Sequence, residues 1–233
     1  MFILRDILIP LQAAFSDTKL GCKRYQWFIY TLLSVVVPFT SSITSNLWRT
    51  LHTLFGLSLD RGRFYTFMAS PTLPWNRLWQ ILWSSIPAPL TDGRLVVALD
   101  DFINPKVGRK IFGCESIFDH AAKSNQSKYP WAQNVVVVGL LKTIKGRWAC
   151  LPMTFRFYLP KKAIQAKTIN VIKNGKVDPF QTKLEQAAAM IIEIASHFAG
   201  VPILVVADSW FGNNGLFKPV RQELGLQFHL LSR

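Results

Sequence analysis

Two runs of branched apolar residues in this chain end in carboxylate: LVVALDD at residues 95–101 and ILVVAD at residues 203–208. Runs of that length and composition predict strands covered on both faces. In a mixed sheet, the ends of neighbouring strands can lie side by side. Two carboxylates held there repel each other unless they share a proton or a cation lies between them. Hard divalent cations prefer oxygen ligands, and Mg2+ takes one or two protein carboxylates while keeping waters and phosphates in its shell. Two such ions about 3.5–4 Å apart activate a nucleophile and stabilise the leaving oxygen in phosphodiester cleavage or strand transfer. Asp101 and Asp208 are therefore candidate metal ligands, with Mg2+ the expected ion and Mn2+ able to replace it. Alternation along a strand puts Asp100 and Asp101 on opposite faces, so only one of them points into a shared site. An Asp after a strand also forms turns and caps helices, and Asp208 precedes the turn-like SWFGNNG.

The surroundings of these acids are basic. Lys106, Arg109 and Lys110 follow closely behind the first acidic pair, Lys123 and Lys128 precede Trp131, and Lys161 and Lys162 form a further basic run in LPKK. Such side chains suit phosphate contacts. Trp131, set among basic and amide residues, could stack on a base or cover a sheet edge. Over the 233 residues, Lys and Arg outnumber Asp and Glu by 27 to 13, a formal net charge of +14. That imbalance calls for a polyanionic partner, nucleic acid or an anionic membrane surface. Half the chain is hydrophobic, which excludes a disordered basic tail. Cys22, Cys114 and Cys150 are isolated and form no C-x-x-C pair, so neither a disulfide framework nor a zinc knuckle is expected, and a reducing, cytoplasmic setting fits. The apolar segment at residues 25–39 contains Gln26, Thr31, Ser34 and Pro38. It falls short of the roughly 20 apolar residues a bilayer requires, and reads as a core helix rather than a membrane span.

Elements that must position the acids follow from periodicity. Residues 1–93 read as helical, with apolar residues recurring at three and four positions in LRDILIPLQAAF, SNLWRTLHTLFG and WNRLWQILWSSI. Thr44 or Ser45 could cap the second of these and Gly56 end it, while Pro74 is placed to start the third. The stripe of Trp75, Leu78, Trp79, Leu82 and Trp83 reads as core, and IPAPLTDG as a linker. Residues 94–233 change to strands: RLVVALDD, then a charged loop over residues 102–133, then NVVVVGLLKTI and RWACLPMTFRFYLP joined at Lys145–Gly146, a hairpin turn. KTINVIKNGKVDP reads as loop. Helix PFQTKLEQAAAMIIEIASHFAG, strand VPILVVAD, a short helix over NNGLFKPVRQELG and strand LQFHLLS complete the order. Three strands in a meander followed by strands joined through crossover helices give an α/β, ribonuclease-H-like mixed sheet flanked by helices.

LVVALDDFINPKVGRKIFG, SKYPWAQNVVVVGLL, LPMTFRFYLPKK and the stretch from FQTKLEQ to VVADSWFGN together resemble the DDE-superfamily transposases of bacterial insertion sequences, in order and spacing. The upstream FYTFMASPTLPWNRLWQIL is similar to the helical segment these proteins carry before their core. The resemblance implies an Asp–Asp–Glu triad that binds Mg2+, cuts double-stranded DNA at the terminal inverted repeats and joins the freed 3′-OH to target DNA, with a homodimer in the synaptic complex and no membrane association. The first acid of the family stands in LDDT, the ligand preceding the Thr. Phe102 replaces that Thr here, and the position falls on Asp101, with Asp100 as the alternative. The second falls on Asp208, in VVADSWFGN. The third, a Glu on a helix beyond the last strand within a Tyr–Arg–Glu–Lys-like signature, has no match. Glu115, Glu185 and Glu193 precede Asp208, and Glu223 lies on the connecting helix. The expectation is therefore a truncated copy lacking its third acid, with a non-catalytic DNA-binding remnant as the competing expectation.

Overall fold

In the computed structural model, residues 6, 8–36, 43–70, 72–108, 110–120, 122–173 and 175–233 are described, and the chain divides into two compact units, residues 1–86 and residues 87–233. A 3-10 turn over Ile9–Ala14 opens the first unit, followed by α1 (Lys19–Val36), α2 (Thr44–Phe55), α3 (Arg61–Met68) and α4 (Trp75–Ser84). Gly56 ends α2 at φ 62°, a left-handed turn that glycine enters without strain. Thr44 is the first residue of α2, and the cap position is Ile43, which offers no side-chain acceptor. Pro74 stands at the cap of α4, one residue before the helix proper. Asp60 caps α3, its Oδ1 accepting from the Arg63 N–H at 2.8 Å.

Two apolar clusters hold these helices. Leu8, Leu11, Phe15, Ile29 and Leu78 form one, and Leu47, Leu51, Phe64 and Phe67 the other, with α1 contributing Phe28 to the edge of both. The tryptophan stripe of α4 is divided: Trp83 is 2% exposed, whereas Trp75 remains 47% exposed. Residues 25–36 of the apolar segment lie in α1, and residues 37–39 fall outside the described residues. Among the described residues no helix is long and apolar enough to cross a membrane.

The second unit begins with the proline-rich stretch itself. Thr91 and Arg94 bridge across a turn in which Asp92 and Gly93 have φ of 49° and 72°, and the Lys142 ammonium donates to the carbonyls of Ala88 and Leu90. The sheet is built from β1 (Leu95–Pro105), β2 (Cys114–Ser116), β3 (Trp131–Ile144), β4 (Arg147–Tyr158), β7 (Ile203–Ala207) and β8 (Phe228–Ser232). β1 is central, antiparallel to β3 on one side and parallel to β7 on the other; β4 lies antiparallel outside β3, and β8 parallel outside β7. This is the ribonuclease-H-like order. β3 turns into β4 through Lys145 and Gly146, both at positive φ (50° and 75°), which matches the type I′ hairpin favoured by strand twist.

β4 leads to α5 (Lys161–Ala166), a 3-10 turn, and the small hairpin of β5 (Ile172–Lys173) and β6 (Lys176–Val177). The polar stretch expected as plain loop thus carries local structure, because Leu159, Ala163 and Val171 bury themselves as a small separate cluster. α6 (Lys183–His197) and α7 (Asn214–Leu224) then make the two crossovers to β7 and β8. Both connections join parallel strands in the same direction across the sheet, so right-handed crossovers lay them side by side.

Candidate active site

Pairing decides where the acids sit. β1 pairs with β7 only as far as Leu99 opposite Ala207, yet it stays paired with β3 through Pro105 opposite Ala132. The first carboxylates therefore lie within a strand, not at its end as the abrupt change in composition suggested, since the ladder with β3 carries β1 onward. What ends at this level is the neighbour β7. A notch opens in the sheet beside residues 100–105, at the carboxyl ends of parallel strands, where open α/β sheets bind ligands. The turn after Ala207, bearing Asp208, borders it.

Alternation separates the adjacent acids. Leu95, Val97 and Leu99 are buried on one face of β1, and Asp101 continues that face, half-buried. Asp100 turns to the other face and is exposed, its Oδ1 accepting from the Asp101 N–H at 2.8 Å. Asp208 is exposed, and its Oδ1 accepts from the Phe211 N–H at 3.1 Å, closing a short turn. Phe211 is fully buried and anchors that turn, and the Gly212 N–H donates to the Asp208 carbonyl at 3.2 Å.

α6 starts at the same notch. Thr182 caps it in a reciprocal capping box with Glu185: the Thr182 hydroxyl oxygen accepts from the Glu185 N–H at 3.2 Å, and Glu185 Oε2 accepts from the Thr182 N–H at 2.7 Å. These hydrogen bonds from Thr182 hold the Glu185 carboxyl below the usual glutamate range. Next to the cap, Lys183 reaches across to β1 and donates from Nζ to Asp101 Oδ2 at 2.7 Å, with the two side chains 20% and 23% exposed. The same ammonium lies 5.4 Å from the ring centroid of Tyr158, at the end of β4, and 5.5 Å from that of Trp210, in the Asp208 turn. Burial pushes the Tyr158 hydroxyl above its usual range, so it stays protonated. One lysine thus joins the strand of Asp101 to the turn of Asp208.

The remaining glutamates are engaged elsewhere or distributed along other elements. Glu185 belongs to the capping box, Glu193 lies 3.5 Å from Arg156 Nη2, Glu115 sits on β2, and Glu223 on α7. Among the described residues, no group of three or more His, Cys, Asp or Glu side chains is placed to hold a metal ion. Oxygen donors at the notch are nonetheless of the kind a hard divalent cation takes. They are Asp101 and Asp208; Asn134, opposite Ile103 on the Asp101 face of β3, has a buried Oδ1 without a hydrogen-bond partner among the described residues.

Basic candidates fall around this site unevenly. Lys106 follows β1, half-buried, and its N–H donates to the Trp131 carbonyl at 2.9 Å. Lys110, Lys123 and Lys128 are exposed on the loop between β1 and β3, and Arg109 lies outside the described residues. The Trp131 indole N–H donates to the Gly108 carbonyl at 2.8 Å, fastening that loop to the start of β3. Lys161 and Lys162 are exposed on α5, where Lys161 Nζ lies 6.0 Å from the Phe180 ring centroid. Lys183, Tyr158 and Trp210 were not among the residues expected at the site. One signal pointed to Lys183: a cation in the first turn of a helix opposes the macrodipole, so its presence asks for a partner.

Strand order defines a ribonuclease-H-like domain, with two acids bordering the notch where β7 stops. A family model described as DDE superfamily endonuclease matches residues 46–230, from within α2 into β8, and the chain belongs to that family. No curated protein and no solved structure matches the chain. Membership makes this a protein of nuclease or transposase type, in a superfamily that acts on DNA and generally uses divalent metal ions.

Proposed function

We propose that the chain is the transposase of a bacterial insertion sequence, cutting double-stranded DNA at the element's ends and joining the freed 3′-OH to target DNA with Mg2+ as its ion. The observation that carries this reading is the meeting of the Asp101 strand and the Asp208 turn on one side chain, Lys183, at the notch where β7 stops. Asp101 and Asp208 supply the anionic oxygens for the ion, and Asp100 is the alternative at the first position. When bound, the ion offsets the negative charge that builds on the phosphate during cleavage. Lys106, Arg109, Lys110, Lys123, Lys128, Lys161 and Lys162 neutralise DNA phosphates, and Trp131, which fastens the loop between β1 and β3, joins them in contacting the DNA. The N-terminal region, residues 1–93, grips the DNA end, residues 94–233 hold the chemistry, and two copies act together in a synaptic complex in the cytoplasm.

A second reading, a DNA-binding remnant without catalysis, is favoured by one observation: no third carboxylate joins the pair among the described residues. Incubation with Mg2+ or Mn2+ and DNA carrying terminal inverted repeats separates the two. Metal-dependent nicking that is lost in Asp101→Asn and Asp208→Asn establishes the first. Salt-sensitive binding in a gel shift with no nicking establishes the second.

A further inference from the structure

We infer that Lys183 is a positioning residue that acts as a built-in counter-cation for Asp101 and is displaced when a divalent ion binds. The inference rests on the reading of Asp101 as a metal ligand. Lys183 stands in the first turn of α6, where the helix macrodipole favours anions. It is nevertheless drawn in to 20% side-chain exposure and donates to Asp101 Oδ2 at 2.7 Å. The pairing satisfies a half-buried carboxylate that β7 no longer flanks, so Asp101 keeps a fixed direction before any ion arrives. An ammonium and a divalent ion cannot share that carboxylate cheaply, because the two cations repel across a partly desolvated gap. Binding of the ion therefore requires the ammonium to move.

Two aromatic rings flank the ammonium while it is paired with Asp101. The Tyr158 and Trp210 ring centroids lie 5.4 and 5.5 Å from Nζ, and aromatic faces attract a cation without supplying a competing anion. Trp210 is 51% exposed, so the ammonium has an open side on which to withdraw from Asp101 while staying near that ring. The lysine thus keeps metal affinity low in the free protein and withdraws its ammonium from Asp101 as the site loads.

The test measures Mn2+ binding to the full chain without DNA, by the loss of the free-ion paramagnetic resonance signal. Lys183→Met, which retains the apolar stem and leaves the Thr182–Glu185 box in place, should bind Mn2+ at least about five-fold more tightly, the low end of ordinary coupling between two sites. Lys183→Arg, which restores a cation opposite Asp101, should return to within about two-fold of the original protein. Adding Asp101→Asn to Lys183→Met should remove the gain. Binding abolished by Asp101→Asn but equal in Lys183→Met and the original protein overturns the displacement inference alone. Mn2+ binding indifferent to Asp101→Asn, or none at all, overturns the metal-ligand reading and this inference with it. Circular dichroism confirms that each variant is folded, and Lys183→Gln provides a second neutral side chain should Lys183→Met fail that check.

Discussion

Asp208 has one observed duty and one proposed duty, which a pair of substitutions can pull apart. Its Oδ1 closes the turn after β7 by accepting from the Phe211 N–H at 3.1 Å, and its charge is proposed to hold the metal ion. Asn keeps a side-chain oxygen in the same place and removes the charge, whereas Ala removes both. One turn-closing hydrogen bond contributes about 1 kcal/mol. In a chain of 233 residues, that corresponds to a fall in melting temperature of about 2–4 °C. Asp208→Ala should therefore melt lower by this amount, and its Phe211 and Gly212 amides should exchange faster. Asp208→Asn should stay within about 0.5 kcal/mol of the original protein. Both should lose metal-dependent cleavage and weaken Mn2+ binding, because neither retains the anionic oxygen. The assays are thermal melting, amide exchange at residues 211 and 212, and nicking of inverted-repeat DNA. An Asp208→Asn protein that cuts at the original rate would refute the ligand role. One that is destabilised as much as Asp208→Ala would refute the turn argument.

Further outcomes follow from the same geometry. Thr182→Ala should cost about 1 kcal/mol by uncapping α6, and should raise amide exchange at Lys183, Leu184 and Glu185. Since the Glu185 carboxyl is held below the usual range, its contribution is complete above its unfolded value of about 4.3 and is lost as pH falls through the lower folded value; the stability advantage over Glu185→Gln should therefore shrink only below about pH 4.3, read by melting curves across acid pH. A Cβ on Gly212 would meet the Ser232 hydroxyl and come within 2.8 Å of Ser232 Cβ, so Gly212→Ala should destabilise by about 1–3 kcal/mol, with part of the loss recovered by Ser232→Gly in a double-mutant cycle. Replacing Lys110, Lys123 and Lys128 one at a time by Ala should each lower the salt slope of DNA binding by about 1 if that side chain meets a phosphate, measured by anisotropy over a series of salt concentrations.

The core strands were legible in sequence because each carries its own signal. LVVALDD, NVVVVGLLKTI and ILVVAD are long apolar runs, and the Lys145–Gly146 turn has the residues a tight hairpin requires. Where β1 would stop was not legible from composition. Phe102, Ile103 and Asn104 follow the carboxylates without an apolar run, yet they remain in the strand because β3 continues opposite them. The Asp101–Lys183 contact lies further from any local signal, since 82 residues separate the partners. Only the crossover that returns α6 from β4 toward β7 brings the start of that helix to the notch.

That same crossover explains why the site needs a lysine as well as acids. β7 ends at Ala207 and leaves Asp101 without a strand neighbour on one side, while the face it occupies is otherwise lined by buried apolar residues such as Leu99 and Val136. A carboxylate so placed, with no cation, would be desolvated on the apolar side and free to swing on the other. Lys183 corrects both conditions at once, and the rings of Tyr158 and Trp210 limit where its ammonium can go. On the proposed metal reading, preorganisation of this kind lowers the cost of loading the site, because the carboxylate is already held in one direction. It also sets a cost of its own, the displacement of the ammonium. The balance between the two is a property of the α6 start and the Asp208 turn together, which is why disturbing the Thr182 cap should alter Mn2+ affinity even though Thr182 itself offers the ion nothing.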